Sequence, residues 1–128
     1  MILIGIHPAI DTEKTVVFVD AIGAIEHTPA GSLAVLDFDE NDLGFYAKAE
    51  VPLALRVKDV RAFILAAATS ARYVVAPLEL ARNLQKLTDH YLYDIKVLAE
   101  TGAQDLEAVA QAGIDGILVR HNPPNERT

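Results

Sequence analysis

The stretch DIKVLAETGAQDLEAVAQAGIDGILVR, residues 94–120, decides the fold. DIKVLA (94–99) is a short apolar run of strand length. In TGAQDLEAVAQAG (101–113), Leu106, Val109 and Ala110 recur at helical spacing. Thr101 and Gln104 have the spacing of a capping box, and Gly113 fits a helix stop. DGILV (115–119) is a second apolar run. A strand, a helix and a strand in so few residues predict a βαβ unit, whose strands are parallel.

The same grammar extends upstream. VPLALRV (51–57) reads as a strand, and Asp59 caps a helix over DVRAFILAAATSA with Val60, Phe63, Ile64, Ala67 and Ala71 as its apolar positions. YVVA (73–76) is the next strand. Pro77 suits the first position of a helix over 77–91, where its missing N–H costs nothing. Leu80, Leu84, Leu87 and Tyr91 share one face of that helix. From Pro52 to Tyr73, Ile95 and Gly116 the steps are 21, 22 and 21 residues. AAATSARYVV also echoes AVAQAGIDGILV, as a repeat of βα units would.

The first part, 1–38, reads as β-rich and less regular. MILIGI, TVVFVD and LAVLDF (33–38) are strand candidates. The short, glycine-containing gap between the last two predicts a hairpin-like or irregular connection. DENDLGFYAKAE predicts a helix capped by Asp39, weakened by Gly44. Residues 120–128 form a polar tail. The fold expectation is thus one α/β domain. Its mostly parallel sheet is built from successive βα units over 39–119, either half-barrel-like or open in three layers.

Composition narrows the function. Hydrophobic residues make up 52% of 128, enough for a filled core. The net charge of -7 opposes nucleic-acid binding and docking on anionic membranes. With no cysteine, disulfides, thiolate catalysis and zinc–thiolate sites are excluded. MILIGIHPAI lacks the basic start of a signal peptide, and no apolar run has membrane-spanning length, so the expectation is a soluble cytoplasmic protein. No G-x-S-x-G, P-loop or G-x-G-x-x-G occurs. His7, His27, His90 and His121 lack metal-ligand spacing, and nothing implies a cofactor.

Two motifs carry a family resemblance over residues 51–119. SARYVVAP (70–77) resembles strands of the keto-acid-phosphate aldolases, and AGIDGILVR (112–120) is similar to a late strand of the indole-glycerol-phosphate synthases. Both are phosphate-binding (β/α) barrels. The resemblance implies barrel-like βα units and a phosphate near the end of AGIDGILVR. It also sets Lys96 in a position loosely like that of an aldolase Schiff-base lysine. The chain departs from the family in two ways. It has about half the residues of an eight-unit barrel, so an open sheet or two mutually covering chains are expected. Arg120 also stands where the family commonly has glycine, which replaces a backbone-amide cradle with a guanidinium.

Sites in parallel sheets form beyond the carboxyl ends of the strands. There the sequence offers His7, Asp37, Asp39, Arg56, Lys58, Glu79, Glu100, Arg120 and His121. Alternation puts Arg56, Lys96 with Glu100, and Arg120 on one face, beside Ala54, Leu98, Gly116 and Leu118. Leu53, Leu55, Val57, Ile95, Val97, Ile117 and Val119 take the helix-covered face. Arg56, Lys58, Lys96, Glu100, Arg120 and His7 are therefore the candidate ligand contacts. Two functions compete: binding of a small anionic or phosphorylated metabolite, and a non-enzymatic homodimeric scaffold whose second chain covers the open face.

Overall fold

The computed structural model describes residues 1–91 and 93–120. Seven strands form one sheet: β1 (Ile2–Ile4), β2 (Val16–Phe18), β3 (Leu33–Asp37), β4 (Leu53–Arg56), β5 (Tyr73–Ala76), β6 (Lys96–Glu100) and β7 (Gly116–Leu118). Four α-helices lie between them: α1 (Leu43–Lys48), α2 (Val60–Ala67), α3 (Leu78–Tyr91) and α4 (Leu106–Gln111). Every pairing is parallel, in the order β1-β7-β6-β5-β4-β3-β2. That is chain order run round a ring, opened between β1 and β2.

Three observations establish the curl. Across a flat sheet, β7 and β2 would lie about 24 Å apart, five strand spacings. Here the Arg120 guanidinium, just after β7, sits 4.4 Å from the centre of the Phe18 ring on β2. Second, the register drifts. Asp37, the last residue of β3, pairs with Arg56, then Val75, Leu98, Gly116 and finally Ile2, at the start of β1. Such stagger is the strand tilt that a closing sheet requires. Third, the inner face packs on itself. Ile4, Leu33, Val35, Ala54, Tyr73, Val75, Leu98 and Leu118 form one buried cluster, with Ile2, Val16 and Phe18 against it.

The outer face packs under the helices. Leu53, Leu55, Val57, Val74, Val97 and Ile117 meet Phe63 and Ala66 of α2, Leu84 of α3 and Val109 of α4. The alternation expected from sequence thus holds on both faces. The open sheet does not: the inner face is buried within a single chain, so the premise for a covering second chain falls away.

Local expectations were corrected or narrowed in five places. Residues 19–32 do not make a hairpin. They make a parallel crossover from β2 to β3 through a 3₁₀ turn, Ile22–His27, that buries Ile25. Their number just exceeds the dozen or so that a parallel return needs. On α3 the buried residues are Ala81, Leu84, Gln85 and Thr88, and Tyr91 is exposed. On α2, Phe63 and Ala66 are buried while Val60 and Ile64 are exposed, and on α4 Ala110 faces outward. The Thr101–Gln104 capping box does not form; the Thr101 hydroxyl donates to Asp105 instead. Asp59 and Asp39 do cap, accepting from Ala62 N and Asn41 N.

The AGIDGILVR motif has structural duties. Gly113 ends α4 at φ 72°. Asp115 accepts from Val97 N and from Gln85 of α3, tying β6 and α3 to the start of β7. A Cβ on Gly116 would meet the Ile2 carbonyl oxygen at 2.4 Å, so only glycine lets β1 approach β7 this closely.

Candidate functional site

The strands' carboxyl ends gather at one mouth of the ring. Arg56 ends β4 and Glu100 ends β6, both on the inner face, and they meet over the end of β5. Arg56 Nε and Nη2 donate to Glu100 Oε1 and Oε2 at 2.7 and 2.8 Å, a fork-on-fork pair. Asp37, at the end of β3, approaches Arg56 Nη1 at 3.7 Å. Burial works against the Arg56 charge, but Glu100 and then Asp37 outweigh it and hold the guanidinium protonated. Its positive charge is therefore already balanced.

Arg120 differs. Its guanidinium lies over the Phe18 ring, and Arg56 lies 5.4 Å from the centre of the same ring. Among the described residues no carboxylate forms an ion pair with Arg120. An aromatic face holds a guanidinium in place without neutralising it. Among the described residues the mouth thus has one balanced cation and one cation without a carboxylate partner.

Three candidates fall away from this group. Lys96 starts β6, level with Tyr73, and is exposed at the opposite end of the ring from Arg56 and Glu100. The charged patch expected from alternation therefore loses Lys96, because Lys96 and Glu100 stand at the two ends of one strand. A Schiff-base lysine needs a desolvated pocket, and this position supplies none. His7 lies in the turn after β1, where its Nδ1 accepts the Ala9 N–H and Asp11 accepts from Ile6 N and His7 N. Burial disfavours the Asp11 charge, but the backbone N–H groups of His7, Ile6 and Gly5 outweigh it and hold the carboxyl below its ordinary range. Lys58 lines a separate cavity of about 590 Å³ over the ends of β2 to β4, walled by Asp20, Asp37, Asp39, Asp42 and Asp59. That surrounding does not suit an anion. Glu79 is on the first turn of α3, where a carboxylate complements the helix dipole. His121 lies outside the described residues.

Sequence reading missed Phe18, which it saw only as part of a strand, and the residues beneath it. A slot of about 240 Å³ separates the edge strands, lined by Ile4, Val16, Phe18, Leu118, Lys14 and Glu13 among others. At the far end of the ring Glu13 Oε2 accepts from the Tyr73 hydroxyl at 2.6 Å and from Arg72 Nη1 at 2.8 Å. Burial first, and then the Glu13 carboxylate, push the Tyr73 phenol up. That end of the ring is closed by a satisfied network, whereas the mouth is not. No motif announces Glu13, a polar residue in a polar connection.

Among the described residues no group of three or more histidine or acidic side chains is placed to hold a metal ion. No helix among them is long and apolar enough to cross a membrane. No family model matches the chain, and no curated protein matches it.

Proposed function

We propose that the protein binds a small anionic metabolite, a carboxylate or a phosphate, at the mouth of the curled sheet. Arg120 is the anion-facing group. One observation carries this reading: Arg120 is stacked on Phe18 and carries no carboxylate partner among the described residues, while its neighbour Arg56 is held by Glu100 and Asp37. Arg56 and Glu100 keep the shape of the site. Charge-assisted bonds from a guanidinium are among the stronger recognition contacts. Titration calorimetry with inorganic phosphate and acetate tests the proposal. Binding that weakens about tenfold or more in Arg120→Gln supports it. Absence of binding by either anion, or equal binding by wild type and Arg120→Gln, overturns it.

A homodimeric scaffold keeps one separate support. Val60 and Ile64 are exposed one turn apart on α2, and Tyr91 is exposed at the end of α3. Sedimentation of the wild type and Ile64→Glu tests it: a wild-type monomer at micromolar concentration rejects it.

A further inference from the structure

We infer that the ligand is a medium-chain or aryl carboxylate whose apolar body enters the slot between β1 and β2 while its carboxylate meets Arg120. This rests on the anion-binding reading above and names its ligand class. Four features of the slot carry it.

First, the slot and the guanidinium adjoin. Phe18 lines the slot and carries Arg120 on its ring, and Leu118 and Val119 line it immediately before Arg120 in the chain. Second, the wall is apolar: Val16 and Phe18 of β2 are half-buried at its surface, and Ile4 and Leu118 lie fully buried behind them. Third, the two acids that line the slot are already engaged: Asp11 by Ile6 N and His7 N, and Glu13 by Arg72 and Tyr73. Fourth, β2 is an edge strand. Its ladder to β3 uses the Thr15 carbonyl and the Val19 N–H, so by alternation the Phe18 N–H points away from β3. A second carboxylate oxygen finds its donor there.

Size sets the class. An apolar cavity of ~150 Å³ accommodates a benzene molecule. A slot of about 240 Å³ therefore takes roughly six to ten non-hydrogen atoms by the same scale. A phosphorylated sugar would place hydroxyl groups against Ile4, Val16 and Leu118 with no partners, which is unfavourable. A carboxylate with an alkyl or phenyl body leaves nothing unpaired.

The experiment is a titration series with acetate, butanoate, hexanoate, octanoate and decanoate, with inorganic phosphate alongside. Affinity should rise about fourfold per buried methylene and level off once the slot is full, near octanoate. Val16→Phe narrows the slot; it should flatten the rise in affinity from acetate to octanoate. Intermolecular nuclear Overhauser contacts from the octanoate chain to the Val16 methyls and the Phe18 ring give a second readout that needs no variant. If acetate and octanoate bind equally, or the chain makes no contact with those groups, the inference is overturned and the anion site stands. If neither acetate nor phosphate binds and octanoate does not either, both fall together.

Discussion

Toward β7, strand β1 is held by a ladder of backbone hydrogen bonds from Ile2 to Ile4, and Gly116 admits it at closest approach. Toward β2 it is held by Thr12 and by packing. Thr12 N donates to the Leu3 carbonyl, Leu3 N donates to the Thr12 hydroxyl, and Ile4 meets Val16 and Phe18 in the inner cluster. The first junction is a regular hydrogen-bonded ladder. The second leaves the slot. A ring of short strands can therefore bury its interior without a complete circle of ladders, provided that side chains finish the last gap.

This contrast predicts a hierarchy of costs. Gly116→Val places a Cβ against the Ile2 backbone and should push β1 off the sheet. A loss of about 3 kcal/mol is expected in urea unfolding. A cost near zero would mean that the β1–β7 junction is no tighter than the seam. Glu13→Ala should cost about 2 kcal/mol, because it strands the buried Tyr73 hydroxyl. Thr12→Val, at the exposed seam, should cost only about 0.5 kcal/mol, while the Leu3 amide exchanges faster with solvent. A cost above that of Gly116→Val would reverse the comparison.

The smallest effect expected is on pH dependence. The folded Asp11 carboxyl lies below its ordinary value, so its contribution is complete above about pH 4 and is lost as the pH falls through the folded value. Asp11→Asn should flatten this acid limb of a melting-temperature profile. An unchanged profile would leave the turn after β1 without a role in holding the seam.

Much of this architecture was readable from local pattern. Alternation along β4, β6 and β7 assigned both faces correctly, and it put Arg56 and Glu100 on the same face at the carboxyl ends of two strands, where they meet across β5. The curl was legible only as one of two alternatives, half-barrel-like or open. Choosing between them needs the stagger that accumulates across seven strands, and no single window of sequence contains that information. Gln85 was invisible for a related reason. Apolar periodicity cannot register a buried amide whose partner, Asp115, lies 30 residues away. At the β2–β3 crossover the sequence left a hairpin-like and an irregular connection open, because a 3₁₀ turn spans the distance without helical periodicity. Arg120 was named, but its support was not: Phe18 reaches it only once the ring has closed.

The pair of Arg56 and Glu100 has a mechanical consequence. Strand spacing of about 4.8 Å fixes the perimeter of such a ring, but a perimeter does not fix the shape of the cross-section. Chords do. Arg56 to Glu100 is a chord from β4 to β6 that skips β5, and Arg120 on Phe18 is a second, from β7 to β2. One chord is ionic and the other is aromatic. Salt should slacken the first far more than the second, so high ionic strength is expected to let the mouth go oval on the β5 side while the slot side keeps its shape.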